Sequence, residues 1–531
     1  MSGTALWSRR LEWGLIAIGI GLRAARFLET RPLWIDEVLI ALNVVPNGPA
    51  DFVQPLGYGQ ISPLGFLLGE WLVTRVAGAG EHALRFLPFV ASVAALIAFN
   101  RFARRTLETA PALFATALAA VSPLLIYYAG EVKSYSFDWL CAVLLMHATL
   151  TVAEGPTPRA WTRWALIAAF GALMSTPAPF FVAGCAVALL AVPAVRTPRT
   201  LLVLVMAAIP AALLFAAQYF TTYNSAFTRA AMDSYWTRQF LDASPRDALV
   251  QALQSARTFV IDVVFGDHVS NALPRKSITI TILLTAIGAL LLVRRSLTVA
   301  LMVLAPAGLA MIAALMHRWP LTSRLLLFLV PALAMALASA VAGLTALLPA
   351  RVRGAVFAMI ASVFVLSSAA GNRWEWTENN LVVALPDALR SVSRGGDSTA
   401  TVYLSSDLVP ACRYYLAWHP DRIAMGGGVD GARADSTTMC TRRTGRIVSG
   451  QWPVFVRRTP GTPFDTPRPV EPEWVEQEGS RILASTGNEL WLILAHSRQL
   501  QNALPSWLES HGFRRTGERR QRTLLVVEYS K

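Results

Sequence analysis

Two adjacent carboxylates follow the first apolar segment of the chain. In the stretch RPLWIDEVLIAL, residues 31–42, Asp36 and Glu37 lie among Trp34, Ile35 and further aliphatic side chains. Carboxylates are favourable at any solvated helix N-terminus, but these apolar flanks are not typical of a solvated turn. A carboxylate at such a boundary can accept the proton of a hydroxyl group, and paired carboxylates can also bind a divalent cation. Asp36 and Glu37 are therefore the first candidates for catalytic residues.

Charged side chains recur at other junctions between apolar and polar sequence. The further candidates are Glu131, Lys133 and Tyr135 in YYAGEVKSYSFDWL, Arg318 and Arg324 in HRWPLTSRLLLFLVP, and Arg85 in AGEHALRFLP. Ionisable residues at membrane depth are costly and tend to mark function. Cations bind a lipid phosphate, and a carboxylate can take the proton of a hydroxyl acceptor. The combination suits an enzyme that moves a sugar from a lipid phosphate to a hydroxyl, because the cations would stabilise the departing phosphate.

Structural interpretations of the same side chains stay open beside the functional ones. Glu131 and Lys133 can form an ion pair that closes a tight turn. Arg318 and Arg324 can extend to the membrane interface while their stems stay in apolar surroundings. The histidine at position 317 is interpreted as interfacial or structural rather than as a ligand.

The composition predicts a membrane protein with several spans. Of 531 residues, 54% are hydrophobic and only 15% are charged, whereas a soluble protein carries about 25% charged residues. The net charge of +14 is explained by Lys and Arg in short cytoplasmic loops. No basic stripe with stacking aromatic residues is present, so nucleic acid is not an expected partner.

About eleven apolar segments approach the roughly 20 residues that a membrane-spanning helix needs. They are 11–28, 83–100, 110–128, 136–153, 161–175, 179–195, 200–219, 278–293, 297–316, 324–347 and 354–370. A cytoplasmic N-terminus, with Arg9 and Arg10, places the short basic turns inside, as the positive-inside rule requires. The loops 29–82 and 220–277 and the C-terminus are then outside. The first run lacks a clear cleavage site and is interpreted as a retained span.

The residues after 370 differ in character from the rest of the chain. ATVYLSS, NELWLILA and RTLLVVEYS are predicted strands, and VPACRYYLAW and SRQLQNALPSWLESHGF are predicted helices. The sequence therefore predicts a membrane domain over 1–370 and a soluble α/β domain over 371–531. If that domain lies outside the cytoplasm, Cys412 and Cys440 are candidates for a disulfide.

The charged motifs resemble those of the GT-C superfamily of polyprenyl-phosphate-sugar glycosyltransferases. PLWIDEVLIALNV is similar to its first-loop acidic motif, and YYAGEVKSYSFDWL to its tyrosine–acid–basic–tyrosine signature after the third span. SPLGFLLGEWLVTRVAGAGEHALRFLPFVAS and SRLLLFLVP resemble its segment before the second span and its arginine-to-proline span. The nearest likeness is to the branch of protein O-mannosyltransferases and lipid A aminoarabinose transferases. The motifs occur in order within residues 1–335.

The resemblance implies roles for the matching residues. It implies that Asp36 is the catalytic base or positions the acceptor, with Glu37 as its partner or as a cation ligand. Glu131 and Lys133 correspond to the second-loop acid and base, with Lys133 near the lipid phosphate. Arg324 corresponds to another cation on the phosphate side, and Arg318, Arg85 and Tyr135 are further substrate-binding candidates. Many relatives carry arginine where Lys133 stands, so a bidentate contact becomes a point charge here.

The implied reaction is an inverting single displacement on the outer face of a cell inner membrane. The implied donor is a polyprenyl-phosphate sugar in the lipid bilayer, and the acceptor is a hydroxyl of a protein, a lipid or a glycan. Mg²⁺ or Mn²⁺ is a candidate cofactor, with oxygen ligands from Asp36, Glu37 and Glu131, and the sequence leaves metal dependence open.

Two other classes of protein remain alternatives to an enzyme. A transporter or flippase of a lipid-linked substrate should show an internal repeat and charges near mid-membrane, and the sequence shows neither pattern. A non-catalytic membrane scaffold with a partner-binding outer domain is the other alternative, and it would not depend on the carboxylate of Asp36.

Overall fold

The computed structural model describes most of the chain in two compact units. The described residues are 3–225, 228–229, 235–266, 269, 272, 274–375, 385, 388–389, 401–405, 408–418, 446–449, 472–495, 498–521 and 524–531. The first unit comprises residues 1–29, 47–76 and 82–377, and the second comprises 30–46, 77–81 and 378–531. The acidic stretch of the first loop is therefore grouped by its contacts with the C-terminal residues. Composition alone does not predict that grouping.

Helices make up almost all of the first unit. They are α1 (Gly3–Leu28), α3 (Leu64–Ala77), α4 (Glu81–Thr106, whose first residue is grouped with the second unit), α5 (Thr109–Val121), α6 (Pro123–Ala129), α7 (Tyr135–Glu154), α8 (Pro158–Met174), α9 (Ala178–Leu190), α10 (Pro198–Gln218), α11 (Pro245–Val260), α12 (Arg275–Arg295), α13 (Leu297–Leu315), α14 (Val330–Ala346) and α15 (Ala350–Glu375). α2 (Ile35–Val44) belongs to the second unit.

Several of these helices can cross a membrane. Among the described residues, 8 helices are long and apolar enough, or up to 9 if a bent pair is one span. The chain is thus a multi-pass membrane protein, while the total of about eleven spans stays a prediction. α11 lies in the segment 220–277 that the sequence predicts to be a loop. The stretch Pro245–Phe265 is one of the 8 candidate spans. Its charged residues, among them Arg246, Asp247 and Arg257, divide the apolar sequence, so no span was predicted there.

The bent pair is α5 and α6, which meet at 50°. Pro123 has no N–H group, so the Ala119 carbonyl four residues earlier cannot receive its usual helical hydrogen bond. The guanidinium of Arg23 donates instead, from Nη2 to Ala119 O and from Nη1 to Ala120 O, both at 3.0 Å. Its Nε donates to Ser92 Oγ at 2.9 Å. A fully buried arginine of α1 therefore stabilises the break.

The next carbonyl of the break is satisfied by α15. Asn372 Nδ2 and Ser368 Oγ donate to Val121 O at 2.7 and 3.2 Å. Together with Arg23, these groups fix the direction in which α6 leaves α5. The segment from Glu131 to Lys133 follows α6 directly, so the break determines where these two charged side chains lie.

Replacing Arg23 should destabilise the first unit. In Arg23→Met the buried carbonyls of Ala119 and Ala120 lose their donors, and each unsatisfied buried group costs about 1–3 kcal/mol. We expect a loss of roughly 3 kcal/mol in the free energy of unfolding, measured by thermal unfolding of the detergent-solubilised protein. Arg10→Met, at an exposed position of the same helix, is the control. Equal midpoints for the two variants would contradict this role of Arg23.

The second unit contains a mixed sheet in the C-terminal residues. It has 5 strands in the order β2-β1-β3-β5-β4, formed by β1 (Thr401–Leu404), β2 (Arg446–Ser449), β3 (Glu489–Leu494), β4 (Arg514–Gln521) and β5 (Leu524–Ser530). β1 is parallel to β2 and β3, whereas β5 is antiparallel to β3 and β4. The helices α16 (Val409–Trp418), α17 (Pro472–Ser485) and α18 (Arg498–Ser510) accompany it.

The core of this sheet domain consists of aliphatic and aromatic side chains. Leu490, Leu492 and Val527 from the strands pack with Leu504 and Leu508 of α18. All the predicted strands and helices of this domain are present, and β2, β4 and α17 were not predicted. The predicted α/β character of the C-terminal residues is confirmed.

Candidate functional site

The predicted catalytic carboxylates lie in the first turn of α2, in the second unit. Glu37 is fully buried, and its Oε2 accepts hydrogen bonds from the Trp34 backbone N–H at 3.0 Å and from Arg31 Nη1 at 3.2 Å. A glutamate at the third helical position that binds the N-cap amide is a capping arrangement. Glu37 therefore fixes the start of α2 and holds an arginine beside it.

Asp36 differs from its neighbour in exposure. Its side chain is half-buried in the same first turn of α2. A carboxylate that keeps some access to solvent can meet a hydroxyl group, whereas Glu37 is enclosed. The geometry thus favours Asp36 as the proton acceptor and Glu37 as the residue that orients it.

Glu131, the acid of the second motif, contacts an arginine within the first unit. Glu131 is fully buried, and its Oε1 is 3.5 Å from Arg26 Nη2. Arg26 also pairs with Glu29 at 2.8 Å and stacks over the Tyr127 ring with 4.7 Å to the centroid. Gly130 permits this approach, because an added Cβ would lie 2.9 Å from Arg26 Cγ. α1 and the α6–α7 junction therefore share one charged cluster.

Lys133 and Tyr135 extend this cluster. Lys133 is 9% exposed, and its Nζ donates to Gln60 Oε1 at 2.9 Å. The ring of Tyr135 meets that of Tyr128 edge to face at 4.9 Å. An ammonium group in this position can donate charge-assisted hydrogen bonds to a phosphate.

Arg324 lies on aromatic rings at the turn before α14. Its guanidinium is 4.7 Å from the centroid of Trp236 and 5.8 Å from that of Tyr235, and Nη2 donates to Tyr235 Oη at 3.3 Å. Aromatic faces hold an arginine in place without neutralising its charge. Such a cation is suited to an anionic ligand.

The remaining predicted residues have other surroundings. Arg318 is exposed in the turn after α13, and Arg85 is fully buried in α4. His317 stacks on Phe240 at 5.2 Å and has a positive φ of 53°, which fits the structural interpretation given to it. Cys412 is buried in α16, while Cys440 lies outside the described residues, so their disulfide stays a prediction.

The carboxylates do not form a metal centre in the described part of the chain. Within it, no three side chains of the His, Cys, Asp or Glu types are placed to hold one ion together. Glu37 and Glu131 each contact an arginine, at 3.2 and 3.5 Å, which favours a role in ion pairing over metal ligation. The Mg²⁺ or Mn²⁺ site with ligands from Asp36, Glu37 and Glu131 stays a prediction.

Two arginines that pair with predicted residues were not themselves predicted: Arg26, which contacts Glu131, and Arg31, which contacts Glu37. Arg26 lies with Arg23 in the apolar run of α1, and charged residues within a span are rare enough to have indicated a role. Arg31 stands six residues before Glu37 in the same quoted stretch. Its pairing depends on the turn that precedes α2, which no local pattern predicts.

A further buried carboxyl, Glu70 of α3, was not predicted either. It is fully buried, and neither of its oxygens has a hydrogen-bond partner among the described residues. Burial raises the pKa of Glu70 well above its usual range, because the charged form loses its hydration.

The pH dependence of stability should reveal the state of Glu70. In the unfolded chain this carboxyl ionises above about pH 4.3, whereas in the folded protein burial keeps the proton bound to a higher pH, so the free energy of unfolding falls as pH rises above about 4.3. Glu70→Gln cannot lose a proton and should show a shallower decline between pH 5 and 8 by thermal unfolding in detergent. Parallel declines for wild type and variant would contradict the raised pKa.

The comparisons with known proteins match this fold. The family described as "Dolichyl-phosphate-mannose-protein mannosyltransferase" matches residues 62–220, which include Arg85, Glu131, Lys133 and Tyr135. The chain is similar to ArnT from Cupriavidus metallidurans bound to undecaprenyl phosphate, with 12% identity and a TM-score of 0.50 over 99% of this chain and 98% of that one. No curated protein sequence matches the chain.

A second similar structure is the archaeal oligosaccharyltransferase AglB from Archaeoglobus fulgidus in complex with an inhibitory peptide and a dolichol-phosphate. Its identity is 14% and its TM-score 0.45 over 77% of this chain. The chain spans less than two thirds of the length of AglB, namely 63%.

The likeness to ArnT extends over nearly the whole of both chains and shows a shared fold. The family match lies in the part of the chain that carries the second-loop motif. Together they confirm the predicted fold class. The chain is a multi-pass membrane protein with the GT-C fold and a small C-terminal α/β domain.

Proposed function

We propose that the protein is a membrane glycosyltransferase that moves a sugar from a polyprenyl-phosphate donor to a hydroxyl acceptor. The observation that carries the proposal is the division of roles at the start of α2. There Glu37 is enclosed by Arg31 and the Trp34 amide, while Asp36 stays partly exposed. A fold supports many functions, but this pair of carboxylates fits a base and the residue that orients it.

The donor class is supported by the cations of the first unit and by the related structures. Lys133 donates to an amide oxygen, and Arg324 lies against two aromatic rings, so both cations are held in defined positions. ArnT binds undecaprenyl phosphate and AglB a dolichol-phosphate. A polyprenyl phosphate carries the anionic group that such cations recognise.

The proposed reaction is a single displacement. Asp36 accepts the proton of the acceptor hydroxyl as its oxygen forms a bond to the anomeric carbon of the sugar. The bond from that carbon to the phosphate oxygen breaks, and the lipid phosphate leaves with the electron pair. Lys133 and Arg324 stabilise the growing charge on the phosphate. The products are a glycosylated acceptor and a polyprenyl phosphate, with the anomeric configuration inverted.

The other charged residues support these groups. Glu37 orients Asp36, and Arg26 holds Glu131 beside the loop that carries Lys133. Arg85 and Tyr135 are proposed to line the donor site, and Arg318, which is exposed, to meet lipid headgroups. We place the reaction on the outer face of a cell inner membrane, with a protein, a lipid or a glycan as acceptor.

A transfer assay tests the proposal. Membranes that contain the protein, and matched membranes that lack it, receive a panel of radiolabelled polyprenyl-phosphate sugars. Label should move into a protein, lipid or glycan fraction only in the first set. Movement of intact labelled donor across sealed vesicles without any transfer would instead support a flippase. If neither sugar transfer nor movement of intact donor is detected with any donor of the panel, a membrane scaffold would be favoured.

A further inference from the structure

The first loop and the C-terminal residues are joined within the second unit by a tyrosine. Tyr415 of α16 is completely buried, and its hydroxyl accepts a hydrogen bond from the Leu33 backbone N–H at 2.6 Å. The same hydroxyl donates to Glu81 Oε1 at 3.3 Å. One side chain therefore connects the residue that precedes the Trp34 N-cap of α2 with the residue at which α4 begins.

The neighbouring tyrosine makes a parallel contact. The Tyr414 hydroxyl donates to the Ala79 carbonyl, and the two tyrosine rings meet edge to face at 5.2 Å. α16 also packs along α2. Leu33 is fully buried, so water cannot reach its backbone N–H group. The Tyr415 hydroxyl supplies the hydrogen-bond acceptor that this group needs.

We propose that Tyr415 is a positioning residue, through which the C-terminal domain sets the orientation of Asp36 and Glu37. This inference rests on the proposed function, because it assigns Asp36 a position that matters for proton transfer. Leu33 and Asp36 are three residues apart, and the Trp34 amide between them is bound by Glu37. A shift at Leu33 is thus transmitted to the first turn of α2 and to its carboxylates.

The size of the effect follows from the geometry of general-base catalysis. A base must stay within hydrogen-bond reach of the proton it accepts, and a displacement of about 1 Å can cost as much as 100-fold in rate. Tyr415→Phe keeps the buried ring and removes only the hydroxyl. We expect kcat to fall by about 10- to 100-fold, whereas KM for the donor changes by less than about twofold, because the phosphate-binding cations are untouched.

The matched control is Tyr403→Phe. Tyr403 is buried in the same domain, on β1, and its hydroxyl donates to Glu478 Oε1 at 2.7 Å, so this variant also deletes one buried hydroxyl. Both variants are made in the full-length chain and measured in the transfer assay. Glu81→Gln keeps an acceptor oxygen for Tyr415 and should retain most of kcat, whereas Glu81→Leu removes the acceptor and should lower it.

A second measurement does not depend on activity. Amide hydrogen exchange of the peptide that covers residues 30–40 should speed up in Tyr415→Phe and stay at the wild-type rate in Tyr403→Phe. If exchange is unchanged in Tyr415→Phe, or if both variants lose kcat equally, Tyr415 does not position the loop. If wild type transfers no sugar but exchange still responds to Tyr415→Phe alone, the contact stands and the proposed function fails.

Discussion

Asp36→Asn should lower kcat for sugar transfer by roughly 100- to 10,000-fold, the usual contribution of a general base. Asparagine has nearly the same shape and retains a side-chain oxygen at the start of α2, but it cannot accept the acceptor's proton at neutral pH. The Glu37 contacts to Arg31 and Trp34 do not involve the Asp36 side chain. Because asparagine keeps the size of aspartate and one of its side-chain oxygens, the variant should fold normally, and its KM for the donor should stay near the wild-type value. Initial rates with a labelled polyprenyl-phosphate sugar measure the effect.

The control for this substitution is Asp51→Asn. Asp51 is an exposed carboxylate of the same first loop, and it accepts a hydrogen bond from the Gly48 amide. This variant should keep the wild-type kcat. Transfer by Asp36→Asn at the rate of Asp51→Asn, with equal expression of the two proteins, would remove Asp36 from the role of base.

Local sequence patterns were sufficient for much of the C-terminal domain and for most apolar helices. β3 and β5 were predicted because their apolar residues fill a buried sheet, as with Leu490 and Val527. β4, in contrast, reads RRTGERRQ and has no apolar residue, since it is an edge strand whose backbone pairs with β5. Pairing with a neighbour, rather than its own composition, makes that segment a strand.

The charged candidates were predictable individually, but their partners were not. Arg26 and Glu131 are 105 residues apart in the chain, and their contact depends on how α1 packs beside the α6–α7 junction. Arg23 is needed where it lies because Pro123 leaves the Ala119 carbonyl without a helical donor. A sequence pattern indicates that a charge in an apolar span needs a partner, and only the fold determines which partner it has.

The sequence also does not indicate which residues hold the acidic stretch of the first loop in place. The composition changes near residue 370, and from that change the sequence predicts a separate domain over 371–531. The contact between Tyr415 and Leu33 joins residues 382 positions apart. Aromatic residues in an amphipathic helix such as α16 usually indicate a domain core, so nothing local distinguishes Tyr415 from an ordinary core residue.

Arg324 and Arg318 offer a paired test of the phosphate-binding role, because they lie in one turn and differ in their surroundings. Arg324 is held over Trp236 and Tyr235, whereas Arg318 is exposed. A positioned cation that stabilises a leaving phosphate contributes about 100- to 1,000-fold to the rate. We expect Arg324→Met to lower kcat by that amount, since methionine keeps the apolar contact with the rings and removes the charge.

Arg318→Met should change kcat by less than about threefold, because an exposed charge in high dielectric contributes little. Arg324→Lys should retain part of the kcat that Arg324→Met loses, because lysine supplies a point charge but lacks the planar group that stacks on the rings. Raising the salt concentration should lower the wild-type kcat only slightly, because Arg324 acts on the phosphate at short range while it is packed against the aromatic rings. The assignment of Arg324 to the phosphate would be wrong if Arg324→Met and Arg318→Met retained the same kcat. It would be equally wrong if Arg324→Met raised only KM for the acceptor, because a cation on the departing phosphate acts on the bond-breaking step and not on acceptor binding.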